Sequence, residues 1–151
     1  MDTAGLVAAA AVVVLGVVIG WWRRRTDGRL RAAPGRAAEV GDAVAERIDP
    51  ALLATLGVGP APATLLQFSS AFCAPCRAVR RVSGEVAAML PGVQHVEVDA
   101  ESHLDAVRAL GIWKTPTLLV LDEEGRVAKR ATGVPAKPQL IAVLGELLPA
   151  R

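Results

Sequence analysis

Apolar and polar positions fall into three regimes along the chain. Ala4 to Trp22 reads AGLVAAAAVVVLGVVIGWW, nineteen residues without a charged or strongly polar side chain. At about 1.5 Å per residue a helix of that length spans about 28 Å, close to the roughly 30 Å of bilayer hydrocarbon. A helix satisfies its own backbone in lipid, so the run predicts one N-terminal transmembrane helix over 4–22. Trp21 and Trp22 close it, where indole rings favour the headgroup layer. A cleaved signal peptide would carry positive charge ahead of a shorter apolar core. Here the leader is Met1-Asp2-Thr3, and WWRRR is a poor cleavage site. Residues 23–38, RRRTDGRLRAAPGRAA, lack an apolar period and read as a basic flexible tether.

From 39 to 151 strand and helix patterns alternate. Glu39 to Arg47 is weakly helical or irregular. Asp49-Pro50 opens a short helix through Leu56, with Asp49 as N-cap, and Gly57 ends it. TLLQF, Thr64 to Phe68, is a buried strand between turn signals. Ala74 to Leu90 is a helix with Val79, Val82, Val86 and Met89 at steps of three and four. Val93 to Val98 alternates as a strand. Ser102 to Leu110 is a second helix, closed by Gly111. TLLVL, Thr117 to Leu121, is a strand. Asp122-Glu123-Glu124-Gly125 turns it into a hairpin partner, Arg126 to Ala131. Pro138 to Leu148 is the last helix. Strands separated by helices predict parallel pairing, with an antiparallel edge from the hairpin. The expected body is an α/β sandwich of about 110 residues.

A chain of 151 residues holds one such domain and a short appendage, not two full domains. Its two cysteines cannot make a disulfide scaffold. The net charge of +2 is unevenly spread. Residues 23–36 hold six Arg and one acid, Asp27, whereas Glu39 onward has eleven basic and thirteen acidic residues. A body of net −2 lacks the basic face that duplex phosphate requires, so no nucleic-acid partner is expected. The Arg cluster belongs to the apolar run it follows, as a topology signal beside anionic headgroups.

The candidate chemistry is Phe72-Cys73-Ala74-Pro75-Cys76-Arg77, between the first buried strand and the long helix. Thiols three residues apart on a helical turn share one face, within the roughly 4.4–6.8 Å Cα separation of a disulfide. At a helix N-terminus the free N–H groups and the dipole favour a thiolate. Pro75 costs nothing in the first turn, and Arg77 adds positive charge. Cys73 then reads as nucleophile and Cys76 as resolving thiol. A zinc site would need His95 and His103, whose H-x7-H spacing is outside the usual three to five. A purely structural Cys73–Cys76 bond would close too short a loop to stabilise much. Strand–CxxC–helix context favours redox work without metal or organic cofactor.

TLLQFSSAFCAPCRAV resembles the active-site strand, loop and helix of the thioredoxin family. GIWKTPTLLVLDEEGRVAKRATG resembles its cis-proline segment and terminal hairpin. The likeness covers most of residues 49–148. It implies a thioredoxin-like fold, a central mixed sheet flanked by helices. It also implies a redox-active Cys73–Cys76 pair, a cis Pro116 facing it, and backbone near Thr115 that pairs with an extended substrate. Phe72, Pro75 and Trp113 would border the same substrate surface. Departures are specific: Phe72 stands for the usual Trp, Ala74-Pro75 for Gly-Pro, and Thr115 for the common Ile. Gln67 replaces the family's buried Asp and cannot act as a base. His95 replaces a frequent Lys. An imidazole there can affect the site's charge, while its plainer reading is a solvent-side strand residue. Gln67, Arg77 and His95 are the groups expected to modulate thiol ionisation.

Together these readings describe a membrane-tethered thiol–disulfide oxidoreductase. Its partners would be proteins with disulfides or thiols and a separate electron donor, a reductase or membrane carrier. The alternative is a binding module that uses the same face to hold a partner protein or metal without turnover. All local Arg follow the span, so the positive-inside rule places the domain in the cytoplasm, on a single-pass membrane protein. Anchored thioredoxin-like proteins often face the other, extracytoplasmic side.

Overall fold

The computed structural model describes residues 3–26, 28–32 and 47–149. Helix α1 (Thr3–Thr26) carries the apolar run and the first Arg residues. Its described apolar side chains are exposed, Val12, Leu15 and Val17 among them. Arg25 lies 3.7 Å over the Trp21 ring, one turn back. Among the described residues no helix is long and apolar enough to cross a membrane.

The next described segment departs from the expected tether. Gly28 donates its N–H to the Thr132 carbonyl, and Arg31–Ala32 form a two-residue strand, β1. Partly buried Leu30 packs on the core. Leu30 is one apolar side chain among Arg and Ala, too little for a periodicity signal. Of the weakly patterned stretch Glu39 to Arg47, residues 39–46 lie outside the described residues. Arg47 itself bridges to Arg126.

Helix α2 (Pro50–Thr55) starts at Asp49, whose carboxylate accepts the Ala51 N–H at 2.8 Å. Then follow β2 (Ala63–Ser69), α3 (Ala74–Met89), β3 (Val93–Asp99), α4 (Leu104–Ala109), β4 (Thr117–Asp122), β5 (Val127–Thr132) and α5 (Lys137–Leu147). The sheet order is β1-β5-β4-β2-β3. β2 and β3 are parallel, as expected for strands joined by α3. β4, however, is antiparallel to β2, although a helix precedes it. The six-residue α4 is about 9 Å long, whereas the seven-residue β3 is about 23 Å. The helix alone is too short to return the chain along the strand, and the flanking loops do not take it there. β4 therefore starts at the end where β3 stops and runs the other way.

Alternate residues of the central strands feed two cores. Leu66, Phe68, Leu119 and Leu121 pack with Ile48, Leu56 and Ala106 on the α2–α4 side. Leu65, Leu118 and Val120 pack with Val79, Val86, Leu140 and Leu144 from α3 and α5. Every residue of β2 is buried, which is why TLLQF shows no polar alternation.

Candidate active site

The site forms where β2 ends, at the end of the sheet where β4 begins. Cys73 is the N-cap of α3 and its sulfur accepts the Cys76 N–H at 3.2 Å. Pro75 sits in the first turn, where its missing N–H leaves no gap. Cys73 and Cys76 form a disulfide with Cα atoms 5.3 Å apart. Cys73 is half-buried, whereas Cys76 is 2% exposed. One sulfur is thus open to a partner and the other is held beneath it. Arg77 is exposed near the start of α3.

The second loop comes alongside through the sheet. Phe68 pairs with Thr117, and the Thr115–Pro116 peptide is cis. The Thr115 and Ser70 hydroxyls are hydrogen-bonded at 2.9 Å, joining the cis-proline loop to the loop that leads to Cys73. Pro116 is buried, and its carbonyl accepts the Gly133 N–H. Two aromatic side chains stand free at this end: Phe72 is 100% exposed and Trp113 is 94% exposed. The Arg130 guanidinium binds the carbonyls of Leu110 and Gly111, fixing the chain just before Trp113 onto β5.

Beneath the dithiol lies a polar network, of which only Gln67 and His95 stand out in the sequence. Fully buried Gln67 donates its amide to the Cys76 carbonyl at 3.1 Å and to Ser69 Oγ at 2.7 Å. The same amide lies 3.3 Å from Glu97 Oε1, and Ser69 Oγ donates to that carboxylate at 2.6 Å. Arg80 of α3 closes the network with a two-pronged ion pair to Glu97. The pairing holds the Glu97 carboxyl below the usual range, with Ser69 adding to the effect and burial opposing it.

His95 lies within this network, not on a solvent-side strand face. Its Nε2 is 3.1 Å from Gln67 Oε1. With the Gln67 amide nitrogen committed as donor, Oε1 is the acceptor and Nε2 carries the proton. Burial lowers the His95 pKa, and the Arg80 charge lowers it further against the pull of Glu97. The imidazole is therefore neutral at pH 7. Glu97 and Arg80 had a signal, though a faint one. Strand alternation places residues 95 and 97 on one face, and Arg80 lies one helical turn beyond Cys76.

A surface-accessible sulfur capping a helix, a buried sulfur one turn on and an adjacent cis-proline loop define a redox dithiol protein of the α/β class. Comparison with known proteins agrees. The family model described as Thioredoxin matches residues 58–146. The thioredoxin of Chlamydia trachomatis is 29% identical over 82 residues, 54% of this chain and 79% of the relative. That of Mycoplasma genitalium is 31% identical over 77 residues, 51% of this chain and 74% of the relative. The crystal structure of chloroplastic thioredoxin z superposes with a TM-score of 0.55 at 23% identity, covering 68% of this chain and 92% of that one. A mutant thioredoxin of Halobacterium salinarum gives 0.53 at 19% identity, covering 60% and 79%. The chain belongs to the thioredoxin family, and its activity is thiol–disulfide oxidoreduction.

Proposed function

We propose that this protein is a membrane-tethered disulfide reductase in which Cys73 attacks and Cys76 resolves. The Cys73 thiolate attacks one sulfur of a substrate disulfide, and the other leaves as a thiolate. The Cys76 thiolate then attacks Cys73 Sγ in the mixed disulfide. The second substrate thiol leaves and a Cys73–Cys76 bond remains. Two electrons pass from the dithiol to the substrate, and a separate donor returns them. The observation that carries this reading is the asymmetry of the pair. The Cys73 sulfur is half-open and receives an N–H at a helix start, while Cys76 is 2% exposed. Phe72, Pro75, Trp113 and Thr115 supply the substrate surface, with the buried cis Pro116 setting the course of the Thr115 backbone. Arg77 adds cationic charge near Cys73, and Gln67 and His95 set the polarity under Cys76.

The tether reading is supported by the nineteen-residue apolar run, the helical backbone of Thr3–Thr26 and the exposure of its Val and Leu side chains. A helix that is apolar on all sides has no stable place in water. The six Arg that follow support a cytoplasmic domain, because cationic flanks resist translocation. The test is a Cys76→Ala variant of the full chain in membranes. It should accumulate mixed disulfides that dissolve in dithiothreitol. An impermeant maleimide should label Cys73 only after lysis. Absence of trapped species, with no insulin reduction by the wild-type protein, would sink the reductase in favour of a binding module. Labelling without lysis would reverse the orientation.

A further inference from the structure

The sheet register determines where the chain enters the domain. Gly28 donates to Thr132, Thr132 pairs with Thr117, and Thr117 pairs with Phe68. This row crosses three strand spacings, about 14 Å. Phe68 leads into the Cys73 loop, and Thr117 directly follows Pro116. The segment after α1 therefore reaches the sheet at its dithiol end. The approach is close: a Cβ on Gly28 would lie 2.1 Å from the Val134 carbonyl oxygen, and its φ is +84°. The contact continues toward the rim. β1 pairs Arg31 with Arg130, whose guanidinium holds the Leu110–Gly111 turn before Trp113.

The link to α1 is also short. One residue, Asp27, separates Thr26 at the end of α1 from Gly28. Trp22 to Thr26 is about 6 Å of helix, and the headgroup layer on each side is about 5–8 Å deep. A bilayer with its hydrocarbon edge at Trp21 and Trp22 would have its headgroups at the dithiol end of the sheet. The chemistry of the rim fits that position. Phe72 and Trp113 are 100% and 94% exposed. Residues 70–81, 110–121 and 132–138 hold five Lys or Arg and no Asp or Glu. Of these cations, Arg80 is paired with Glu97 and Lys137 with Glu85. The acids of this end, Glu97, Asp99 and Glu101, lie on or just after β3, at the sheet edge opposite β1. Exposed aromatics with cations, and with the acids of this end gathered at the far sheet edge, suit an anionic lipid surface.

We propose that the dithiol rim is held on the membrane surface by this short link, with Phe72 and Trp113 in the headgroup layer. The disulfides it exchanges are then those of membrane-bound polypeptides close to the bilayer. The proposal rests on the tethered reading above. Its test uses the full chain with Trp21→Phe and Trp22→Phe, which leaves Trp113 as the one tryptophan of three. The protein is reconstituted in phosphatidylglycerol–phosphatidylcholine vesicles whose acyl chains are brominated near the glycerol end. Trp113 emission should fall about twofold against unbrominated vesicles. A twenty-residue Gly/Ser insertion after Asp27, with a reach of about 25 Å, should abolish most of that quenching. It should also cut the preference for a membrane-anchored disulfide peptide over its soluble form by about tenfold. Protein that fails to float with the vesicles overturns the anchor and this proposal together. Protein that floats without quenching overturns this proposal alone. Full quenching retained after the insertion overturns the link as its cause.

Discussion

The side-chain amide of Gln67 donates to the main-chain carbonyl of Cys76 at 3.1 Å, tying the floor of the site to the first turn of α3. Because the same amide group also engages Ser69, Glu97 and His95, one residue meets four partners in a fully buried position. Replacing Gln67 with Leu would strand these groups. Each buried polar atom left unpaired costs about 1–3 kcal/mol, so a loss of about 2–4 kcal/mol is expected after partial relaxation. Urea denaturation of the oxidised protein measures it, and a change below about 1 kcal/mol would contradict the network.

The same position bears on the second chemical step. An amide neither takes nor gives a proton, so resolution of the mixed disulfide should show no ionisation from residue 67. A Gln67→Asp variant introduces a carboxyl in a buried place facing Glu97, where both burial and like charge raise its pKa. The pH profile of the resolving step should then gain an inflection above the usual carboxyl range. Stopped-flow release of product from a preformed mixed disulfide would read it.

Accessibility should separate the two thiols once the pair is reduced. Cys73 is half-open and Cys76 is 2% exposed. Limiting iodoacetamide at neutral pH should modify Cys73 at least about tenfold faster than Cys76, with the N–H at the helix start favouring its thiolate. Peptide mass mapping gives the ratio, and equal labelling would remove the asymmetry on which the assigned roles depend.

Stability should depend on pH through two groups of opposite type and the same sign. The folded His95 pKa lies below 6.5, so the unfolded chain binds the extra proton first. Its contribution is full above about pH 6.5 and is lost as pH falls through the folded value. Glu97 is also depressed, chiefly by Arg80, so its contribution is lost as pH falls below about 4.5. A His95→Gln variant should flatten the slope between about pH 5 and 7 and leave the acid limb in place. Thermal melts across pH would show this.

Phe72 and Trp113 are solvent-exposed, so truncation should cost little stability, within about 0.5 kcal/mol. The double change to Ala should lower kcat/KM for a protein disulfide by about tenfold. Reaction with dithiothreitol, which needs no docking surface, should change by less than about twofold.

Much of this protein was legible in one dimension because local physics settles it. Asp49-Pro50 caps a helix by its own geometry, and hydrophobic steps of three and four write out α3. CxxC at a strand-to-helix turn declares its chemistry, and Gly-punctuated apolar runs place the strands. What pattern alone could not supply were relations between distant segments. The direction of β4 depends on which end of the sheet the chain re-enters after α4. The network of Gln67, His95, Glu97 and Arg80 exists only because β2, β3 and α3 pack together. The edge strand at Arg31–Ala32 is set by backbone hydrogen bonds that carry almost no side-chain signature. Residue identity determined which groups can ionise, cap or exchange electrons. The tertiary structure decided which of them meet, because contacts across a sheet depend on register and packing between segments that sequence spacing does not encode.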